Sequence, residues 1–305
     1  MEQHSMTALV SAFSRAYHAT NNEVKVFDDR VAKKLLTENE YHQISKNMAD
    51  GISFFNPAFV GNSNEALRWV VDNQLSPSPL GRAAFAEKSL ERAVKIGTKQ
   101  YLIMGAGYDT FAYRQPEWAK QLEVFEVDHP ATGHDKQNRI KYANITIQNN
   151  VHYIETDFTK ERWQDSILHS KYYDKGKITF ISILGVAYYL SQAVFEKLIA
   201  ALSDIIPEGS TIVLDYPDEN SYNEKAGMRA KKQAMLAGGA NEKMLASYSY
   251  AELERLLALN GLRIYEHLTP KEMTEQYFAT YNHANPTHMM TAFDNVNYCL
   301  AVKKK

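Results

Sequence analysis

From residue 98 onward, short apolar runs alternate with stretches of helical character, and this alternation limits the possible folds more than any other feature of the chain. The runs are YLIM (101–104), LEVFEVD (122–128), VHYIETD (151–157), KITFISIL (177–184), STIVLDY (210–216), LRIYEHL (262–268) and VNYCLAV (296–302). PATGHDKQNRIKYA, TKERWQDSILHS and SQAVFEKLIAALSDI lie between them and read as helices. Strands that alternate with helices imply a parallel sheet covered on both faces. Near-continuous apolar runs such as FISIL suit strands buried on both sides. The predicted fold class is therefore α/β, a doubly wound and mostly parallel sheet.

The first ninety-odd residues read as helices, with no strand among them. Thr37 and Glu40 have the spacing of a capping box, as do Ser249 with Glu252 and Thr269 with Glu272. Ser78 before Pro79 predicts a helix start, and Gly97 predicts its end. The division expected is an N-terminal helical cap over 1–97 and a core over 98–305. Two segments interrupt the core. Residues 217–248 carry a charged helical run that Gly238-Gly239 is expected to stop, and residues 269–290 precede the last strand. Insertions at strand ends commonly build ligand pockets, although surface decoration is an equal alternative for their distant parts.

Composition removes several function classes. The 305 residues are 45% hydrophobic and 23% charged with a net charge of −2, which leaves no basic excess for a nucleic-acid backbone. The longest apolar stretch, 178–190, is too short to span a bilayer, and the N-terminus lacks the pattern of a signal peptide. A single cysteine, Cys299, excludes an internal disulfide and fits a reducing compartment. A cytoplasmic protein with no nucleic-acid or membrane partner is expected. The ten histidines contain no H-E-x-x-H pattern, His283 and His288 flank a turn at Asn285-Pro286, and no metal site is expected. G-x-S-x-G is absent, which removes an α/β-hydrolase elbow.

The first strand runs into Gly105-Ala106-Gly107-Tyr108-Asp109-Thr110. Glycines in such a turn let backbone N–H groups approach an anion at the ligand crevice of a doubly wound sheet. A dinucleotide loop would carry a third glycine, and Asp109 would oppose a pyrophosphate. A ligand with an ammonium and a small carboxylate suits the loop better. The second strand ends in Asp128, followed by His129; a carboxylate there can accept hydrogen bonds from two ribose hydroxyls, or cap the helix at Pro130. The third ends in Asp157-Phe158, an acid and an aromatic that can meet an adenine amine and cover its face, or cap a turn in rivalry with Thr159. Together these strand ends describe a pocket for an amino acid joined to adenosine, S-adenosylmethionine.

YLIMGAGYDTFAYR followed by VFEVDHP resembles the leucine carboxyl methyltransferase family, and the likeness extends over nearly the whole chain through TALVSAFSRAYHA, DDRVAKKLL and LGRAAFAEKSLERAV. The resemblance implies a seven-stranded class I methyltransferase sheet with an antiparallel last strand, and methyl transfer from S-adenosylmethionine. It places Arg82 near the methionine carboxylate, Gly105, Ala106 and Gly107 in the cofactor loop, and Asp128 and Asp157-Phe158 on the adenosine. In SILGVAYYL, Leu184 stands where the family often has a glutamate. The reaction implied is O-methylation of a carboxylate or hydroxyl, on a small molecule in preference to a protein C-terminus. Tyr188, Tyr189 and His18 are candidates for contact with the reacting group, with Arg15 and Tyr222 behind them; pocket wall is the alternative for the tyrosines and helix pairing for Arg15. A nicotinamide-dependent oxidoreductase and a cofactor-binding protein without turnover are the competing readings.

Overall fold

The computed structural model describes residues 5–239 and 243–304. Seven strands form one sheet: β1 (Gln100–Met104), β2 (Glu123–Asp128), β3 (Val151–Glu155), β4 (Thr179–Ile183), β5 (Thr211–Pro217), β6 (Leu262–Leu268) and β7 (Val296–Lys303). Their order is β3-β2-β1-β4-β5-β7-β6. All pairings are parallel except those of β7, which runs antiparallel to β5 and β6. Each strand falls within one or two residues of its expected run. The chain order reverses between β1 and β4, so a crevice opens there at the carboxyl ends of the strands.

Alternation along each strand divides the core into two layers. Tyr101 and Ile103 face one layer, with Phe180 and Val213. Leu102 and Met104 face the other, with Phe125, Ile181, Ile183 and Leu214. The N-terminal helices cover the first face: α1 (Met6–Asn21), α2 (Glu38–Asp50), α3 (Ile52–Phe55), α4 (Ser63–Val70) and α5 (Pro77–Lys95). Leu9, Phe13, Leu80 and Phe85 of α1 and α5 join that layer, so the residues before 97 share a core with the sheet. The second face is covered partly by α8 (Gln192–Ile205), through Phe195, Leu198 and Leu202, and by α10 (Tyr250–Leu259), through Leu253 and Leu257. The remaining helices are α6 (Pro130–Tyr142), α7 (Asp165–Leu168), α9 (Met228–Gly239), α11 (Pro270–Met273) and α12 (Ala279–Ala284).

The three anticipated capping boxes are present at Thr37, Ser249 and Thr269, and a fourth joins Asn62 to Glu65. Gly97 follows the end of α5 with φ +116°. Three local expectations need correction. The helix predicted to start after Ser78 begins at Pro77, because a π-helical turn over Val71–Leu75 delivers the chain in helical geometry and the Ser76 carbonyl accepts the first bond, from Leu80. Prolines 77 and 79 both fall in the first turn, where N–H groups have no intrahelical partner. TKERWQDSILHS is mostly turns around the single-turn α7, since Asp157 caps Thr159 and Arg162 adopts φ +56°. α9 includes Gly238 and Gly239, where its described residues end; Ala240, Asn241 and Glu242 of that insertion lie outside the described residues, as does Lys305. His129, and not Asp128, is the N-cap of α6, accepting from the Ala131 amide through Nδ1.

Candidate active site

A cleft of about 810 Å³ lies at the carboxyl ends of β1, β2 and β4. Gly105, Ala106, Gly107, Asp109, Asp128, His129, Phe158, Leu184, Arg82 and Tyr189 all line it. The loop after β1 is bent by two left-handed glycines, Gly105 at φ +64° and Gly107 at φ +48°. A Cβ on Gly105 would come within 2.6 Å of Val186 Cγ2. The direction of the amides differs from expectation. Gly105 and Ala106 both donate to the Val127 carbonyl (2.8 and 3.3 Å), and Gly107 donates to Asp128 Oδ2 (2.5 Å). These N–H groups are consumed by β2 and cannot also cradle an anion. Among the described residues no hydrogen bond reaches the carbonyls of Gly105 and Gly107. The loop therefore offers acceptors, which match an ammonium.

Asp128 is half-buried and receives a second amide, from His129 at 2.7 Å. Burial pushes its carboxyl above the usual range, partly offset by the Gly107 and His129 amides. Phe158 meets Trp163 edge-on at 5.2 Å and turns toward the cleft. Asp157 is not among the lining residues; its Oδ1 accepts from the amide and hydroxyl of Thr159 (2.9 and 2.6 Å), the capping role weighed against adenine contact.

Across the cleft, Arg82 of α5 lies against the backbone of Gly185, so closely that a Cβ there would fall 2.3 Å from Nη1. Its Nη1 stands 3.6 Å from Asp215 Oδ2, and its Nη2 donates to Ser11 Oγ at 3.3 Å. Asp215 is fully buried and accepts from the Gly185 amide (2.6 Å) and the Tyr188 hydroxyl (2.9 Å). Tyr188 and Tyr222 line a side pocket of about 50 Å³ that shares Arg82, Gly185 and Tyr189 with the main cleft. Burial first, and then the Asp215 charge, push the Tyr188 phenol well above its ordinary value.

Two candidates on α1 have their polar groups engaged within the fold. His18 is fully buried outside the cleft; its Nε2 accepts from the Val26 amide at 3.0 Å and its Nδ1 meets Asn22 at 3.2 Å. Burial lowers its pKa to about 4, so it is neutral and structural. Arg15 lines the cleft but spends its donors on Asp29 (2.8 Å), the Tyr108 carbonyl (2.6 Å) and Ser11 (2.9 Å). It clamps α1 over the glycine loop.

The leucine carboxyl methyltransferase family model matches residues 8–203. The chain belongs to that family. A Bacillus subtilis protein named "Putative S-adenosyl-L-methionine-dependent methyltransferase YktD" is 42% identical over 305 residues, covering 98% of both chains. Two crystal structures share the fold at 14% identity. One is a duf574 family protein from Streptomyces avermitilis, with TM-score 0.59 over 96% of this chain and 97% of that one. The other, titled a "putative methyltransferase" from Thermobifida fusca, has TM-score 0.55 over 99% and 96%.

This member of the family is an S-adenosylmethionine-dependent methyltransferase, and the class I sheet order agrees with that. The nicotinamide alternative gains nothing from these relatives. The cleft fits the cofactor on its own terms: unoccupied carbonyls at the glycine turn, a carboxylate at the β2 end and a guanidinium with spare donors opposite. Sequence reasoning missed Asp215, which reads as an ordinary residue of a buried strand. Its signal was a lone carboxylate inside STIVLDYP, a run otherwise apolar enough for a strand buried on both faces. It also missed Glu87, which pairs with Arg114 beneath the loop.

Proposed function

We propose that this methyltransferase methylates an oxygen of a small molecule, with a carboxylate favoured over a hydroxyl as the acceptor. One observation carries the preference: the candidate nearest the end of β4, Tyr188, is a donor to Asp215 and has its pKa raised, which unfits it to remove a proton at neutral pH. His129, the histidine that lines the cleft, sits on the adenosine side as the cap of α6. A hydroxyl acceptor would call for a base or a polarising partner, whereas a carboxylate arrives ionised.

The residues that would hold S-adenosylmethionine follow from the chemistry of each wall. The Gly105 and Gly107 carbonyls suit its ammonium, Arg82 its carboxylate, Asp128 its ribose hydroxyls and Phe158 the face of its adenine. Asp157 does not line the cleft, and its Oδ1 is taken by Thr159, so it is the least suited of these residues to meet the adenine. Leu184 makes the β4 exit apolar at a position where an acid would have added charge. When bound, the cofactor supplies an electrophilic methyl on a sulfonium. The chain's task is to align the acceptor oxygen and exclude water.

Calorimetry with S-adenosylhomocysteine tests the donor half of this reading. Asp128→Ala removes the ribose contacts and the Gly107 amide's partner, and affinity is expected to fall roughly 100-fold, about 3 kcal/mol. Unchanged affinity would refute the ribose assignment. For the acceptor half, labelled methyl transfer to a panel of small carboxylic acids and matched alcohols should favour the acids. Transfer to alcohols alone would reverse the preference.

A further inference from the structure

Arg82 has five N–H donors. Among the described residues it makes one long hydrogen bond, to Ser11, and one ion pair at 3.6 Å, to Asp215. A guanidinium held inside a cleft with most of its donors unspent needs something else to fix its direction. Two features do this. The Gly185 backbone, at φ +68°, leaves room for the guanidinium where any side chain would collide with it. Asp215, completely buried on β5, stands behind it.

The same carboxylate reaches further. Its Oδ1 holds the Gly185 amide at 2.6 Å and its Oδ2 holds the Tyr188 hydroxyl at 2.9 Å. One buried group thus ties α5, the exit of β4 and the wall of the side pocket to β5. Gly185, Arg82 and Tyr189 line both the cleft and the side pocket, so this junction is where donor and acceptor spaces meet.

We infer that Asp215 is a positioning residue for the methyl donor: it holds Arg82 flat on Gly185, so that the unspent N–H groups face the carboxylate of the donor's amino-acid end. Asp215 touches no reactant. It acts through Arg82, and its effect is confined to ligands that carry an amino-acid carboxylate. This inference rests on the reading of the cleft as the donor site.

The test compares two ligands by calorimetry on the full chain. S-adenosylhomocysteine carries the amino-acid end, and 5′-methylthioadenosine lacks it. Asp215→Asn is expected to weaken S-adenosylhomocysteine at least tenfold and to leave 5′-methylthioadenosine within twofold. Adding Asp215→Asn to Arg82→Ala should then cost nothing further, because the two residues act as one unit. Equal losses for both ligands would make Asp215 a merely structural residue and overturn the inference. Unchanged or tighter S-adenosylhomocysteine binding would overturn it too, as would additive losses in the double variant. If Asp215→Asn does not fold, Gly185→Ala displaces the guanidinium without removing a charge and should give the same split between ligands; an equal effect on both again overturns the inference. Failure of the wild type to bind S-adenosylhomocysteine would instead defeat the donor-site reading itself.

Discussion

The cleft has two covers, and they are built differently. On one side α1 lies over the glycine loop. Its Arg15 is bonded to Asp29, Asp29 to Thr110 and the Ala32 amide, and Thr110 to Arg114, which in turn grips Glu87. All five side chains are at least largely buried. On the other side α9 contributes Gln233, Leu236 and Ala237 to the lining. It is held by Arg229, through Asp294 (2.9 Å), the Ala292 carbonyl (2.6 Å) and the Asn73 carbonyl (3.2 Å), and by Lys232 on the Phe55 carbonyl (2.6 Å). Met228 and Met235 of α9 are 65% and 64% exposed, and only Ala230 and Ala237 of the helix are buried. A cover tied by a buried charge network must stay in place for the fold to persist. A cover with little buried apolar surface belongs to the low-stability end of the molecule, from which moving parts are drawn. The glycine loop is thus roofed by the fixed cover, and the side of the cleft next to the small side pocket by the one that can give way.

The largest effect should come from cutting the fixed cover. Arg15→Ala leaves the buried Asp29 carboxylate without its closest cation, and breaking one partner of a buried pair costs about 3–5 kcal/mol. Burial pushes the Asp29 carboxyl up, but Arg15, Arg114 and the Thr110 hydroxyl bring it below the usual range. The stability it provides is therefore present above its unfolded pKa and disappears as pH falls through the lower folded value. Chemical denaturation should show the loss near neutral pH in the variant. A cost under about 1 kcal/mol would place α1 in the same class as α9 and dissolve the contrast.

A second effect, of similar origin and smaller size, concerns His18. Its pKa of about 4 lies below the ordinary value, because burial disfavours the imidazolium. Between pH 6.5 and 4 the unfolded chain binds a proton there that the folded chain refuses, so the histidine's contribution is complete above pH 6.5 and is lost as pH falls toward 4. Asp72, on the π-turn behind α1, has its pKa raised to about 6 by burial and acts in the opposite sense over much of that window. The wild-type profile is thus a compensation, and the informative quantity is a difference. Relative to His18→Gln, the wild type should lose about 3 kcal/mol between pH 6.5 and 4. Parallel denaturation profiles for the two proteins would mean that His18 protonates freely and that α1 is not sealed.

The contrast between the covers also explains what could be read in advance. The seven strands, three capping boxes and Gly97 were legible because each rests on local chemistry: an apolar run, a serine or threonine three residues before a glutamate, a glycine after a helix. The strand-end residues of the cleft were legible because the topology of a doubly wound sheet brings them to one edge. The direction of the loop amides was not, since it depends on which groups of β2 lie opposite once the sheet is formed. Asp215 was not, because a carboxylate in a strand says nothing of the arginine that arrives from a helix 133 positions earlier. His18 misled for the same reason, whereas Arg15 took the helix-pairing role set beside its functional one. Each is a chemically able residue whose capacity the fold has already used.

The smallest effect should come from the second cover, and it is the one that decides the comparison. Arg229→Ala removes the ties to Asp294, Ala292 and Asn73. Because α9 buries little, the global cost is expected to be only about 1–2 kcal/mol, within the range of a few partly exposed hydrogen bonds. The local effect should be larger than the global one. Hydrogen exchange of the Met228–Gly239 amides should accelerate several-fold, while those of Met6–Asn21 keep the wild-type rate. If α9 were as firmly integrated as α1, releasing it would require global unfolding, and both helices would quicken together. Exchange confined to α9 would show that this cover opens independently of α1, the motion that the proposed function needs if an acceptor is to enter or leave while the Arg15 clamp stays closed over the glycine loop.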